Sequence, residues 1–442
     1  MKKISALELI ALSVGAIIGW GAFILPGELF IKETGLLNSI IGLGFGAITM
    51  IIIEKSYKYM ISNFSVEGGE FGYVNIGFNK IISFITGWFL ILAYISIIPL
   101  NVTAVILIIE KFWGNILKFG FSYKVVESQI YFPELVVIVL IVSFFMYTNI
   151  KGIFYSTRIQ NIMVILLVIF VLGLGIIALL ILEIDKKLLY KQLVINQENI
   201  NFFKIMKIIA ITPWAYIGFA TVTQVINDLK IKRRKISLLT EFSIILGYII
   251  YVILILLTGI NYDIKILNNE NIVWATGNSI EKIFGDKGIV ILGIALLMAV
   301  AAGINGFFIA TIKLIESMSK KEMFPIFLSE KRNNIVIFIS IIVLIISFIG
   351  RHILLWITDI SSLGAAIGYL FTCLTVVKLS YQKKERLFLI ISLIGGIISL
   401  FFCVLLLFPN FDSNLSVYSY IILIVWIILG IIFYIKINKK DI

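Results

Sequence analysis

The chain carries, at residues 15–27, the stretch GAIIGWGAFILPG, which lies inside its first long apolar segment. Gly15, Gly19, Gly21 and Pro26 therefore fall where a membrane-spanning helix would run, and each of them weakens helical hydrogen bonding. A lipid environment tolerates such an interruption where the freed N–H and C=O groups face a cavity or a bound solute. Many secondary transporters build their substrate sites from helices interrupted near the bilayer midplane. The stretch thus predicts a transporter with a broken first helix.

The composition indicates an integral membrane protein. Of the 442 residues, 60% are hydrophobic and only 14% are charged, and the mean hydropathy is +1.08. Soluble domains carry about 25% charged residues. A chain of this composition is expected to lie in a lipid bilayer.

Twelve apolar segments are each close to the roughly 20 residues that cross a hydrocarbon core. They lie at about 5–25, 36–60, 81–109, 132–150, 159–183, 204–226, 238–260, 288–316, 334–350, 360–382, 386–408 and 417–438, and we number them segments 1 to 12. We predict an all-α protein with a single transmembrane domain over residues 1–442. Within it, residues 1–183 and 204–382 form two repeats, and residues 386–438 form segments 11 and 12.

The positive charges predict the orientation. With twelve spans, the face that carries both termini holds 24 of the 37 Lys and Arg residues, and the opposite face holds 13. Lys and Arg accumulate on the cytoplasmic side of membrane proteins. We therefore expect both termini to be cytoplasmic and the protein to reside in the cytoplasmic (plasma) membrane, which in a bacterium is the cell inner membrane. The net charge of +12 is then a topology signal, and we expect no nucleic-acid partner.

A second interruption is predicted five segments after the first. Segment 6 contains Pro213 and Gly218 within the run ITPWAYIGFAT at residues 211–221. Proline removes a helix hydrogen bond and glycine loosens the same region. Breaks at corresponding positions of segments 1–5 and 6–10 are the pattern expected of an inverted repeat.

The chain resembles the amino acid–polyamine–organocation superfamily of permeases. The resemblance covers segments 1–10 and rests on the glycines of segment 1 and on four further motifs: the stretch from Glu67 to Tyr73 with Gly87-Trp88, Asn149 to Gly152 with Arg158 to Gln160, Tyr216 to Phe219, and Met323 to Pro325. It implies a LeuT-type five-plus-five inverted repeat in which helices 1 and 6 are discontinuous, with two extra helices. It also implies an amino acid transporter, either a permease or an antiporter.

The resemblance further implies backbone roles at the two breaks. The N–H groups around Gly19, Trp20 and Gly21 are expected to hold the carboxylate of an amino acid, as partner-free amides at a helix start do for anions. The carbonyl groups expected near the ammonium belong to Ile17, Trp214 and Ile217.

The side chains expected around this site are apolar, and they predict a neutral substrate. Trp214 matches an aromatic gate position of the family, and Trp20 stands where a small residue is usual. Gly218 with Phe219 and, on segment 8, Phe307 complete the candidate substrate site. Ala93 or Tyr94 on segment 3 are weaker candidates. A charged group buried in such a pocket without a partner would be costly.

The coupling ion is left open. Leu167 stands where some members of the family have a coupling lysine, and Ala220 stands where many have a glutamate. Between Gly288 and Ala310 segment 8 contains no Ser or Thr, so a hydroxyl-lined sodium site lacks its ligands there. We therefore expect exchange or facilitated transport, or a coupling group elsewhere. Two further candidates are Glu8 and Asp359 at helix ends, and we expect Asn101 to hydrogen-bond across helices in a structural role.

Other functions remain as alternatives. A permease for another small amine, such as a polyamine, would need acidic pocket residues, and the sequence places none there. A non-transporting membrane sensor or scaffold would not need two paired breaks. A membrane enzyme would need clustered His, Asp, Glu or Cys near the midplane, so we predict no enzyme, no metal site and no cofactor.

Overall fold

The computed structural model of the protein describes residues 3–126, 128–180, 190, 192, 200–269, 272, 274–409 and 414–438. Its elements are almost all helices, which pack around one continuous hydrophobic core. The all-α prediction is confirmed except for one antiparallel hairpin of two short strands, which the sequence analysis did not expect. The predicted end of segment 5, at residues 181–183, lies outside the described residues.

The elements follow one another along the chain as α1 (Ala6–Ile17), α2 (Trp20–Leu25), a π-helical stretch (Pro26–Thr34), α3 (Leu36–Asn63), α4 (Gly69–Gly77), α5 (Lys80–Trp113), β1 (Ser122–Val125), β2 (Ser128–Tyr131), α6 (Phe132–Ile150), α7 (Ile153–Leu180), α8 (Phe202–Ala215), a 3₁₀ turn (Ile217–Ala220), α9 (Thr221–Gln224), a second 3₁₀ turn (Ile226–Asp228), α10 (Arg233–Gly259), α11 (Ile264–Asn269), α12 (Ala275–Lys320), α13 (Phe327–Glu330), α14 (Arg332–Ser347), α15 (Arg351–Gln382), α16 (Arg386–Leu407) and α17 (Val417–Asn438). Within α12 the backbone leaves the helical conformation at Gly285.

Segment 1 is interrupted, as predicted. The chain is extended at Ile18 and Gly19, and these two residues separate α1 from α2. The axis bends by 52° between Ala6–Ile17 and Trp20–Thr34. Two half-helices therefore stand where a single span would otherwise cross.

Segment 6 is also interrupted, although not at its proline. α8 continues through Pro213 to Ala215 and gives way to the 3₁₀ turn. Proline has no N–H for the carbonyl four residues earlier, which here is that of Ile209. The hydroxyl of Thr212 donates to this carbonyl at 2.6 Å, so the helix keeps its hydrogen bonding and breaks only afterwards.

Fewer helices than the predicted twelve are long and apolar enough to span a membrane. Within the described residues, ten helices are long and apolar enough to cross a bilayer, or eleven when the bent pair of segment 1 is counted as one span. Segment 9 corresponds to α14, which has only 16 residues. Twelve spans and the inverted repeat therefore remain predictions.

The broken segments lie at the centre of the bundle. α1 packs against α7, α10 and α12, and α5 packs against α12 and α15. α17 lies at the periphery, and only 11% of its apolar window is buried. This arrangement places both breaks deep inside the protein.

Candidate functional site

The two interruptions touch each other. A Cβ atom added to Gly218 would lie 2.3 Å from the backbone of both Ala16 and Ile17, which end α1. Only glycine allows an approach this close, so the 3₁₀ turn rests directly on the end of α1. The last carbonyl groups of α1 have no partners within their own helix. At the start of α2 the N–H of Ala22 donates to the carbonyl of Gly19 at 3.3 Å, whereas helical geometry gives the N–H of Gly21 no partner within α2.

A cavity opens beside the contact. Its volume is about 20 Å³, and roughly 10–15 Å³ of such space is enough for one water molecule. Seven of the nine residues predicted for the substrate site line it, and they come from both breaks and from α12. The lining consists of Ala16, Ile17, Gly19, Trp20, Gly21, Ile97, Leu100, Asn101, Trp214, Ala215, Ile217, Tyr251, Gly303 and Phe307.

The other two predicted residues lie outside the cavity lining. Gly218 forms the contact with α1 described above. Phe219 is fully buried, and its ring packs against Tyr57 at 5.2 Å and Tyr369 at 5.5 Å between centroids. The reason is the 3₁₀ turn, which directs successive side chains about 120° apart. Phe219 is therefore part of an aromatic layer next to the cavity.

The residues of α5 that line the cavity lie about one helical turn after the residues that were expected to line it. Ile97, Leu100 and Asn101 line the cavity, whereas Ala93 and Tyr94 do not. The side chain of Asn101 also crosses to the break in segment 1, where its Oδ1 accepts a hydrogen bond from the N–H of Trp20 at 3.2 Å. The expectation that Asn101 bonds across helices is confirmed, and one of the three amides expected to hold a carboxylate already has a partner.

Two indole N–H groups at the cavity have no hydrogen-bond partner. The Nε1 atoms of Trp20 and Trp214 are both buried and unpaired within the described part of the chain. Buried donors are nearly always satisfied in proteins, so these two N–H groups are available to an acceptor that binds in the cavity. These donors, with the N–H of Gly21 at the start of α2, give the cavity groups that suit an anionic oxygen.

A wider vestibule continues from the cavity. It has a volume of about 310 Å³ and shares Trp20, Leu100 and Trp214 with the cavity. Its walls also include Glu28 and Asp359, both of which are exposed. The two tryptophans therefore stand between the cavity and a larger space that solvent reaches.

Of the two carboxylates expected as further candidates, only Asp359 lies near the site. It lines the vestibule and accepts a hydrogen bond from Ser419 at 3.0 Å. Glu8 instead caps the start of α1, where its carboxylate accepts from the N–H of Ser5 at 2.8 Å. Glu8 is thus a helix cap.

On the opposite side of the cavity the protein is closed. Ile4, just before α1, pairs with the chain after α9: its N–H donates to the carbonyl of Asp228 at 2.8 Å, and its own carbonyl accepts from Lys230 at 2.9 Å. The ammonium of Lys313 on α12 lies 2.8 Å from the carboxylate of Asp228. These contacts hold segments 1, 6 and 8 together on the N-terminal face.

A buried polar network packs behind the site, and no sequence motif marked its central residue. Asn305 on α12 accepts from Ser156 at 2.6 Å and from Asn149 at 3.2 Å, and donates to Gln160 at 2.9 Å. Gln160 in turn donates to the carbonyl of Ala302 at 3.0 Å. The network fixes α7 against α12 beside α1.

Tyr251 and Gly303 were also missed as lining residues. Tyr251 lies on α10, and its neighbours at 244–257 include no charged residue, Ser, Thr, Asn or Gln that would mark a site. Gly303 stands beside Asn101, whose Nδ2 would lie 3.1 Å from an added Cβ. A conspicuous run of small residues, AVAAGING at 299–306, was the only sequence hint of this close packing.

A family model described as amino acid permease matches residues 4–440, which is nearly the whole chain. The chain belongs to this amino acid permease family. The branched-chain amino acid permease BcaP of Bacillus subtilis (strain 168) is 25% identical over 276 residues. The alignment covers 59% of this chain and 55% of BcaP, so it spans little more than half of the relative. Family membership and the long apolar helices identify an integral membrane protein of the amino acid permease family.

Proposed function

We propose that this permease moves neutral amino acids across the cytoplasmic membrane by alternating access, with both termini in the cytoplasm. The observation that carries the proposal is the cavity at the contact of the two breaks. It brings the free backbone groups of α1 and α2 to one place, where a carboxylate and an ammonium a few ångströms apart find opposite partial charges.

The lining favours a neutral side chain. The residues around the cavity are apolar or aromatic apart from Asn101, and no acidic or basic side chain is among them. Burying a charged substrate group there without a partner would be costly. The name of BcaP refers to branched-chain amino acids, which agrees with this preference. A polyamine permease is disfavoured for the same reason.

The two sides of the cavity support alternating access. The vestibule reaches it from one side, while the Ile4–Asp228–Lys313 contacts close the other side. With the termini in the cytoplasm, this conformation faces outward and is occluded by Trp20 and Trp214. Because the cavity holds about one water molecule, these tryptophans must move before an amino acid enters.

Uptake by purified protein in liposomes tests the proposal. Labelled leucine, isoleucine, valine, glutamate, lysine and putrescine would be compared at the same concentration. We expect saturable uptake of the neutral amino acids that unlabelled substrate inside the vesicles accelerates. Preference for putrescine or for a charged amino acid would contradict the neutral-substrate proposal, and uptake of none would contradict transport.

A further inference from the structure

Glu70 is a buried carboxylate that the proposed transport site does not use. It lies in the first turn of α4, a nine-residue helix that is not among the candidate spans, and none of its surface is exposed. Buried acidic side chains are rare unless they are paired. Within the described residues, no salt bridge involves Glu70.

Two glycines place Glu70 at this point. Gly68 and Gly69 have φ values of +85° and +52°, which favour glycine. A Cβ on Gly68 would lie 2.3 Å from the hydroxyl of Ser317, and one on Gly69 would lie 2.4 Å from the amide of Gln224. The glycine pair therefore lets α4 begin directly against α9 and α12.

The carboxylate joins three parts of the bundle. It accepts hydrogen bonds from Tyr57 on α3 at 3.3 Å, from Tyr94 on α5 at 3.1 Å and from Gln224 on α9 at 3.0 Å. Gln224 belongs to the broken segment 6, whereas the other partners belong to the first half of the chain. We call Glu70, Tyr57, Tyr94 and Gln224 the Glu70 cluster.

The cluster lies beyond the cavity, in the closed part of the protein. Tyr94 packs on Phe307, a lining residue, at 5.9 Å between ring centroids. Tyr57 packs on Phe219, next to the lining residue Ile217. These aromatic rings separate Glu70 from the cavity, so a passage towards the N-terminal face would have to part the cluster.

Gln224 lets the cluster accommodate a neutral as well as an ionised Glu70. Its Nε2 donates to Glu70, and its Oε1 is buried without a partner. A rotation of the amide by 180° would bring Oε1 to the same carboxyl oxygen, where it would accept the proton of a neutral acid. The two tyrosine hydroxyls can likewise donate or accept.

Other titratable or charged side chains surround α4, and they lie farther from the Glu70 carboxylate than the members of the Glu70 cluster do. Lys320 pairs with Glu67 at 2.9 Å just before the helix, and Lys378 donates to the carbonyl of Gly77 at its end at 2.7 Å. Those that act electrostatically on the cluster or on Tyr73 are Glu54, Arg233, Tyr369 and Cys373. Burial raises the pKa of Glu70 to about 7, although hydrogen bonds from Tyr94, Tyr57 and Gln224 oppose the rise.

We propose that Glu70 is a proton-binding site in the inner gate, which consists of the Glu70 cluster and the Ile4–Asp228–Lys313 contacts, and that the closed gate binds the proton more tightly than the open gate. The inference rests on the proposed transport cycle. Opening moves segment 6 away from α4, breaks the bond to Gln224 and lets water reach the carboxylate. Because the aromatic rings separate Glu70 from the cavity, its proton comes from and returns to the N-terminal side.

The sign of the pH effect follows from linkage. The closed gate has the higher carboxyl pKa, about 7, and the open, hydrated gate has an ordinary one near 4.5. Falling pH between these values therefore stabilises the closed gate and slows transport. Above pH 7 the proton is absent from both forms, and the effect is lost.

The test uses equilibrium exchange of labelled substrate with the same pH on both sides of the liposome membrane, so that no gradient drives transport. For the wild type we expect a decline of about thirtyfold between pH 8 and pH 5.5, because pH 5.5 lies about 1.5 units below the closed-gate pKa of about 7 and each unit is a factor of ten. Glu70→Gln imitates the protonated state, and its exchange should be slow at every pH. Glu67→Gln, three residues away and half exposed, is the matched control and should keep the wild-type profile.

Two further measurements distinguish failure of this proposal from misfolding of Glu70→Gln and from failure of the proposed function. Gln224→Met removes a bond to the ionised form and should shift the midpoint of the pH profile upwards. Infrared difference spectra between pH 8 and pH 5.5 should show the carbonyl band of a neutral carboxylic acid in the wild type and lose it in Glu70→Gln, whether or not substrate moves. A Glu70→Gln protein with the wild-type pH profile, or with an unchanged infrared band, would overturn the proposal. An intact band without any exchange would instead contradict the transport function.

Discussion

At position 21 any side chain larger than hydrogen would meet the indole of Trp214. A Cβ built there lies 2.7 Å from Cη2 of Trp214 and 3.2 Å from Leu25. Gly21 therefore allows the ring of Trp214 to pack closely over the first turn of α2. The same position offers a backbone N–H that helical geometry leaves free, so its small size serves both packing and the proposed binding of a carboxylate.

Gly21→Val is expected to abolish uptake while leaving membrane insertion intact. The branched side chain would displace Trp214 and block access to the N–H groups at the start of α2. Uptake into liposomes and the amount of folded protein after size-exclusion chromatography give the two readouts. Gly173→Val is the matched control, because a Cβ on Gly173 meets nothing within 4 Å. Near-normal substrate affinity in Gly21→Val would count against the carboxylate assignment.

A second prediction at this scale concerns Asn305. Truncation to alanine leaves Ser156, Asn149 and Gln160 without their shared partner, and each buried polar group left unpaired costs roughly 1–3 kcal/mol. We expect a clear drop in the thermal midpoint of the purified protein. Asn63→Ala provides the comparison, since Asn63 is exposed at the end of α3 and its side chain donates to the carbonyl of Tyr59 at 3.0 Å. Equal midpoints for the two variants would show that the network is not stabilising.

At the scale of the elements, the breaks were the most predictable part of the structure, because glycine and proline act locally. The break of segment 1 follows directly from Gly19 and Gly21. In segment 6 the break was expected near Ile217–Gly218, and the 3₁₀ turn begins there. Pro213 itself leaves the helix intact, because the neighbouring Thr212 replaces the lost donor. Tyr251 and Glu70 were out of reach, because their roles depend on which helices meet in three dimensions.

The closure between segments 1, 6 and 8 leads to a prediction for Lys313. Its ion pair with Asp228 is about four-fifths buried on both sides, and such partly exposed pairs contribute about 1 kcal/mol. In Lys313→Met we expect the amides of Ile4 and Lys230, which form the neighbouring bridge, to exchange hydrogen about fivefold faster. Lys320→Met on the same helix removes a more exposed ion pair and should leave them unchanged. Unaltered exchange in Lys313→Met would mean that the ion pair does not hold this face closed.

At the scale of the whole molecule, the coupling mode follows from which groups reach the cavity. Leu167 and Ala220, which the resemblance aligns with ionisable groups of some family members, are fully buried apolar residues. An ion gradient drives transport only if the ion binds one state of the cycle preferentially and reaches both sides. Glu70 exchanges its proton with one side alone in our proposal, so it regulates the rate without driving accumulation.

We therefore expect preloaded unlabelled substrate to stimulate uptake more than an imposed proton or sodium gradient does. Liposomes that contain substrate are compared with empty liposomes under each gradient. Strong accumulation in empty, energised vesicles that disappears without the gradient would reveal a coupling site that the cavity residues do not account for.

The central claim is that an amino acid binds where the two broken segments meet. An experimental structure of the permease in lipid nanodiscs, with the best substrate of the uptake panel at saturating concentration, tests it most directly. We predict density for the amino acid between Gly19–Gly21 and Trp214–Ile217, with its carboxylate against the N–H groups of α2 and the two tryptophans moved apart. Density at another place, or continuous helical hydrogen bonding through both segments, would contradict the account.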